Sequence, residues 1–436
     1  MIVIIFRILL PKYLWNYTAI LSMTFEMIKN LLRNSFFVEI KILFTGTVIA
    51  QLITFATLPI LTFLFTPAQF GVFALFFTIV NAIGFISAGR FDAALMLPKE
   101  EKNAALLFIL GFVICIFVSI ISAFIIIVLP IHFLPIIACV VSEFKIEIPC
   151  SIFLVGIYTL LSAYCNRAKK YKQMSFARVL QNTVVSAFSI SFGFFALSAK
   201  GLVYGFMLGQ LLSSLLLLRN NVSVLKLHKY NFNECIKIGK EYKSFPLFSV
   251  PMVFLNTLSI NILIFLLTIF VGSSFVGLYS QAYKAVSYPF FILSSSLVPV
   301  FFQRIVVSDK KNIFALRTFL MSIAIGIIIL IPIFFWGETL FSLVFGEKWR
   351  LSGQIAAFLI PLSIASFAVN NISSLFAAIN KNHILLIWQI LYVTLAVSLV
   401  YMVRHCNTMH IISLYSWFGM TMYLGLAAIL FFILKD

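Results

Sequence analysis

The sequence predicts an all-α polytopic membrane protein of about 12 transmembrane helices with both termini in the cytoplasm. Three observations carry that prediction. Of 436 residues, 62% are hydrophobic and only 10% are Asp, Glu, Lys or Arg, against roughly a quarter charged in a soluble domain. The apolar residues fall into runs of helical length rather than the roughly ten-residue alternating strands of an outer-membrane barrel. The cations, finally, segregate to one side of those runs. An ordinary water-soluble enzyme is excluded, and the formal charge of +18 needs no nucleic-acid partner, because basic loops produce the same surplus.

Taken in order, helix 1 covers 42–64, from Lys41 to the Thr66-Pro67 turn, and helix 2 covers 70–89, closed by Arg90. Helix 3 (104–129) runs from Lys102 to Pro130, helix 4 (149–166) to the Arg167 cluster, and helices 5 (173–197) and 6 (201–218) lie either side of Lys200. Helix 7 (246–270) follows Lys243, helix 8 (277–302) begins at Gly277, and helix 9 (314–336) ends before Gly337-Glu338. Helices 10 (354–378), 11 (383–403) and 12 (411–433) are bounded by Arg350, Lys381, Arg404 and Lys435. Pro59, Pro251, Pro289 and Pro332 inside these runs are tolerable in lipid-embedded helices.

Twenty-five of the 31 Lys and Arg lie in the N-terminal segment, the loops after even-numbered helices with their adjoining helix ends, and the C-terminus. Lys145, Lys200, Lys348, Arg350 and Arg404 are on the opposite side, and Lys284 lies inside helix 8. The positive-inside rule puts the crowded side in the cytoplasm. A separate span at 131–142 would reverse every later loop, so that stretch reads as an extension of helix 3 or a surface segment.

Residues 1–33 read as a cytoplasmic or interfacial lead. Its opening, MIVIIFRILL, is too short to span and has no signal-peptide pattern, so a true start at Met27 is the alternative. An N-terminal lobe of helices 1–6 (34–219) and a C-terminal lobe of helices 7–12 (245–436) flank a basic cytoplasmic linker, 220–244. The linker cations Lys226, Lys229, Lys237, Lys240 and Lys243 suit a membrane-surface tether. Phe70-Gly71-Val72-Phe73-Ala74 before helix 2 and Val276-Gly277-Leu278-Tyr279-Ser280 before helix 8 stand about half the chain apart. Six helices per half make such a repeat parallel, with its axis along the membrane normal.

Polar residues inside spans mark candidate sites. Arg178, Gln181, Asn182, Ser186 and Ser189 share one face of helix 5. That face reads either as the wall of a polar cavity between the lobes or as interhelical hydrogen-bond glue, with Arg178 snorkelling. In helix 8, Gln281, Lys284 and Tyr288 share a face, with Lys284 about 10 Å from the helix's outer end. An intramembrane cation costs about 2.5–3.5 kcal/mol even on the lenient scale, which points to an anionic substrate. Arg90-Phe91-Asp92 reads as a phosphate contact at the cytoplasmic mouth or as an ion pair fixing the loop. Asn81 and Asp92, eleven apart, would share a helix face, with Gly84 admitting another helix closely.

Enzyme signals are poor. His132, His228, His383, His405 and His410 make no metal spacing, the six cysteines form no CxxC, and GxxxxGK[ST] is absent. No acid lies in the middle third of a span, which argues against a buried carboxylate proton relay.

Several stretches in chain order resemble the polysaccharide and lipopolysaccharide biosynthesis transporters, the Wzx-type O-antigen flippases of the multidrug/oligosaccharidyl-lipid/polysaccharide superfamily. They are Thr66-Pro67-Ala68-Gln69-Phe70-Gly71-Val72-Phe73, the run from Gly89-Arg90-Phe91-Asp92-Ala93 to Pro98, and Asn166-Arg167-Ala168-Lys169-Lys170-Tyr171-Lys172 with Arg178. Tyr242-Lys243-Ser244-Phe245-Pro246, Val276-Gly277-Leu278-Tyr279 and Phe345-Gly346-Glu347-Lys348-Trp349 complete the set.

The resemblance covers roughly residues 30 to 380, while the last two helices match in hydropathy alone. It implies two six-helix lobes around a central cavity in the bacterial inner membrane. Its cargo would be an undecaprenyl-diphosphate-linked oligosaccharide, moved from the cytoplasmic to the periplasmic leaflet without a cofactor and without making or breaking a covalent bond. Membrane lipids and other surface-polysaccharide assembly proteins are the further implied partners. Arg90, Arg178 and Lys284 are then candidates for the diphosphate, and Gln181, Asn182, Gln281 and Tyr288 for sugar. The rivals are a multidrug or cation antiporter of the same superfamily, the fourteen-helix peptidoglycan-precursor flippase, and a membrane-embedded polysaccharide polymerase or ligase. The antiporter would need carboxylates inside its lobes; the polymerase would need a large outer loop.

Overall fold

The computed structural model describes residues 35–128, 140–219, 221, 232–307, 311–379 and 381–435. The lead, most of the 131–142 stretch and the first part of the linker lie outside them. Among the described residues, twelve helices of 18 residues or more follow one another: α1 (Ser35–Leu64), α2 (Pro67–Gly84), α3 (Glu101–Val128), α4 (Glu147–Arg167), α5 (Tyr171–Phe194), α6 (Ala199–Arg219), α7 (Val250–Phe270), α8 (Ser273–Val307), α9 (Lys311–Phe345), α10 (Arg350–Ala378), α11 (Asn382–Met402) and α12 (Thr408–Lys435). Ten are long and apolar enough to cross a membrane. The other two, α5 and α8, carry the polar faces noted above. The protein is a multi-pass, all-α membrane protein, and no strand occurs among the described residues.

Local chemistry explains the boundaries. Thr66-Pro67-Ala68-Gln69 starts α2 as a capping box: Gln69 N–H donates to Thr66 Oγ1, and Thr66 N–H donates to Gln69 Oε1 at 2.9 Å, with Pro67 in the first turn. α2 ends at Gly84, short of the predicted 89. Gly89 and Arg90 both take left-handed backbone angles (φ 62° and 59°), which no α-helix continues through, and a separate short helix spans Phe91–Ala94. Asn81 and Asp92 therefore do not share a helix face; the apolar run Phe85-Ile86 concealed the break. Gly84 does admit a neighbour, since its α-carbon faces Val155 of α4 in direct contact. In α9 the apolar run also misled: the helix continues to Phe345 through a break at Trp336 (φ −124°, ψ 19°).

Five helix pairings correspond between the two halves. α1 packs on α5 as α7 packs on α11, and α2 on α4 as α8 on α10. Likewise α3·α4 matches α9·α10, α4·α6 matches α10·α12, and α5·α6 matches α11·α12. Such a correspondence is what a duplicated six-helix unit would produce.

Buried side chains divide by end. At the cation-poor end, where odd-numbered helices lead into even-numbered ones, a single core joins both halves, from Leu58, Phe70 and Phe76 to Val276, Tyr279, Phe345 and Trp349. At the cation-rich end the core splits. One cluster belongs to the segment after α2, to α3–α6 and to the linker helix Phe232–Glu241, which buries Cys235 and Ile238. Another belongs to α9–α12, around Phe319, Ile372 and Leu426. The halves thus join at one end and keep separate cores at the other, where Phe245–Ser249 meets Phe91–Ala94.

Candidate functional site at the seam

The seam is built on α2 against α8. Gly71 and Gly277, the pair singled out as a repeat, touch each other across it. A Cβ on Gly71 would lie 1.7 Å from the Ser273 carbonyl oxygen, and one on Gly277 would lie 1.8 Å from that of Pro67. Only glycine lets these backbones meet. Trp349 locks the same end: its Nε1–H donates to the Thr62 carbonyl at 3.0 Å, and its ring stands edge-on to Phe70 at 5.1 Å.

One to three turns deeper along α8 come Gln281, Lys284 and Tyr288. Because α8 begins at Ser273, Lys284 lies roughly 16 Å along it rather than the shorter depth expected from sequence. Its half-buried side chain places Nζ 5.9 Å from the Phe70 ring centroid and 5.8 Å from that of Phe73, both on α2 of the opposite half. No carboxylate pairs with it among the described residues. Aromatic faces attract a cation by their quadrupole but leave its hydrogen-bond donors to other acceptors. Gln281 is fully buried, and neither end of its amide has a hydrogen-bond partner among the described residues. Tyr288 is half-buried on the same face. The seam therefore holds a cation, an amide and a phenol in an apolar setting, which is donor chemistry for an anionic or polyhydroxyl ligand.

The structure places the remaining candidates elsewhere. On α5, Arg178 donates to Thr47 Oγ1 of α1 and hydrogen-bonds Tyr158 of α4, while Ser186 Oγ lies 3.0 Å from Thr57 Oγ1. These partners are all in the first half, so this part of the polar face binds its own helix bundle. Gln181 and Asn182 on that face are half-buried.

Arg90 precedes the Phe91–Ala94 helix at the cation-rich end and pairs with Asp92 at 3.1 Å; the two side chains keep 23% and 12% of their exposure. Burial pushes the Asp92 carboxyl above its ordinary value while Arg90 pulls it down. Among the described residues, no group of three His, Cys, Asp or Glu side chains is placed to hold a metal ion. The aromatic partners Phe70, Phe73 and Trp349 were not singled out from sequence as site residues. They stand in the family-like stretches, but their meeting with α8 depends on packing between distant segments.

These features define a polytopic bundle of two similarly paired halves meeting at one end. The family described as polysaccharide biosynthesis protein matches residues 60–354, and the chain belongs to it. Among solved structures, the chain is similar to the lipid II flippase MurJ in an inward closed conformation, with a TM-score of 0.71 at 13% identity, covering 88% of this chain and 86% of that one. It is also similar to a multidrug resistance MATE transporter in an inward-facing conformation (TM-score 0.53, 16% identity, 89% and 93% covered). A Vibrio cholerae MATE transporter gives a TM-score of 0.53 at 12% identity, with 91% and 97% covered. No curated protein sequence matches the chain.

Proposed function

We propose that this protein is a flippase of the Wzx type. It carries an undecaprenyl-diphosphate-linked oligosaccharide, an O-antigen or capsule repeat unit, from the cytoplasmic to the periplasmic leaflet of a bacterial inner membrane. The observation that carries the reading is Lys284: a cation in the seam between two halves, faced by aromatic rings and, among the described residues, by no acid. Membership of a polysaccharide biosynthesis family supports a glycan cargo. The shared fold with a protein named as a lipid flippase supports the mode of movement.

In this reading the cation-rich end is cytoplasmic and both termini lie there. The two lobes, 34–219 and 245–436, then keep separate cores on the side from which the cargo comes. A diphosphate would meet Lys284, and the glycan would meet Gln281, Tyr288, Gln181 and Asn182, while the polyprenyl tail stays in the bilayer. Rocking about the α2–α8 seam would expose the site to the other side.

The fold shared with MATE transporters favours a second reading, a multidrug or cation antiporter. That chemistry calls for an anionic site, and a lysine is the wrong charge for it. Deletion in the native host separates the readings: a flippase mutant retains the lipid-linked repeat unit in the inner leaflet and loses its surface polymer. Normal surface polymer with raised drug sensitivity would establish the antiporter instead. Complete units stranded unpolymerised in the outer leaflet would establish the polymerase.

A further inference from the structure

At the cation-rich end of the first half, away from the seam, a cleft of about 520 Å³ opens between the turn after α2 and the turn joining α4 to α5. Its walls include Glu101, Tyr164, Asn166, Arg167, Lys169 and Tyr171, with exposed Met96 at the apolar margin. We propose that this cleft binds the phosphate group of a lipid headgroup.

The turn itself makes the case. α4 ends in a motif closed by Lys170 N–H donating to the Cys165 carbonyl at 2.9 Å and Ala168 N–H donating to that of Tyr164 at 2.9 Å. This geometry forces Lys169 into a left-handed conformation, φ 54°. Glycine is the usual residue there because every other side chain is disfavoured. Lys169 occupies the position nonetheless, exposed and without a partner among the described residues.

Its neighbours are already committed. Arg167 Nη1 donates to the Leu95 carbonyl at 2.8 Å, and Lys170 Nζ donates to Asn221 Oδ1 at 2.6 Å. Those two serve to tie the end of α4 to the segment after α2 and to Asn221 beyond α6. Lys169 serves neither, and it points its charge toward a cleft that also offers the Asn166 amide and the unused donors of Arg167. The one acid, Glu101, accepts from Tyr164 Oη at 3.3 Å. Two cations against one partnered carboxylate, beside an exposed methionine, suit an amphiphile with an anionic head.

Two sources carry such a group: a bulk anionic phospholipid and the diphosphate of a polyprenyl-linked cargo. Only the second depends on the flippase reading, and the binding assay needs no transport, so the two can fail separately. The test uses purified full-length protein, with inorganic pyrophosphate followed by thermal shift and phosphatidylglycerol retention followed by native mass spectrometry against phosphatidylcholine. Lys169→Gly relieves the left-handed turn, so the variant should melt no lower than wild type, yet bind about fivefold more weakly, the change expected for one cation at an anionic surface. Lys169→Gln, which keeps a side chain, should weaken binding equally. Lys169-dependent phosphatidylglycerol binding alone identifies the bulk lipid, whereas Lys169-dependent pyrophosphate binding identifies the diphosphate. Equal affinities in wild type and both variants for both probes overturn the proposal.

Discussion

Lys284 and Arg178 are both cations in long helices, and their surroundings separate them. Lys284 has two ring faces and, among the described residues, no anion; Arg178 is held by a threonine and a tyrosine of its own half. Lys284→Ala should therefore abolish surface polymer while membrane protein level stays near wild type, with Lys284→Arg restoring part of the activity. Arg178→Ala should instead lower the protein level or melting temperature, having left Thr47 and Tyr158 without their donor, at about 1–2 kcal/mol. Immunoblotting beside a glycan stain reads both, and the opposite pattern would exchange the two roles. Arg90 is a third case. Removing it leaves Asp92 largely buried without its counter-charge, so Arg90→Ala should destabilise by about 1–2 kcal/mol, and adding Asp92→Asn should recover part of that loss in a double-mutant cycle. A cycle without coupling would detach Arg90 from its ion-pair role.

Among the elements, the α2–α8 seam is the most exacting. Gly277→Ala puts a methyl carbon into the Pro67 carbonyl, an overpacking cost of about 1–3 kcal/mol borne by the closed end alone. The expected outcome is greater accessibility of a cysteine placed at Ser280 to a water-soluble maleimide; unchanged labelling would show that the seam accommodates the methyl. Trp349→Phe keeps the edge-on contact with Phe70 but deletes the bond to the Thr62 carbonyl, and should loosen the same end by about 1 kcal/mol.

Much of this was legible from one dimension. Apolar runs located the long helices among the described residues, ten of them apolar enough to cross a membrane, and the short similarity around Gly71 and Gly277 marked the two segments that meet. Helix ends were less legible, because hydropathy measures the apolar stretch and not the hydrogen-bonded one: α8 and α9 continue well past their apolar runs, and α2 stops at Gly84 inside a run, ahead of the left-handed Gly89-Arg90 pair. The site was legible in its polar members only. Lysine, glutamine and tyrosine stand out where leucine would be cheaper, whereas Phe70 and Phe73 are two phenylalanines among 50, and only tertiary packing brings them to Lys284.

At the scale of the whole molecule, joined cores at one end and separate cores at the other make a hinge. A covalent cross-link between α2 and α8 across the seam, in a background stripped of native cysteines, should pin the joined end and block transport until it is cleaved. Full transport by the cross-linked protein would rule out opening at that end.

The separated end is also the end that bears most of the charge. Folding it shut would bring like-charged rims from the two halves toward each other, so electrostatic work opposes that motion and favours a splayed resting shape. This work is set by the ionic atmosphere, because the screening length shrinks from about 30 Å at 0.01 M salt to about 8 Å at 0.15 M. The position of rest should then shift with ionic strength: distance measurements between spin labels on the two rims should show the closed population growing as salt is added. A distribution indifferent to salt would mean that packing alone sets the rest state, and that the basic rims act only in insertion.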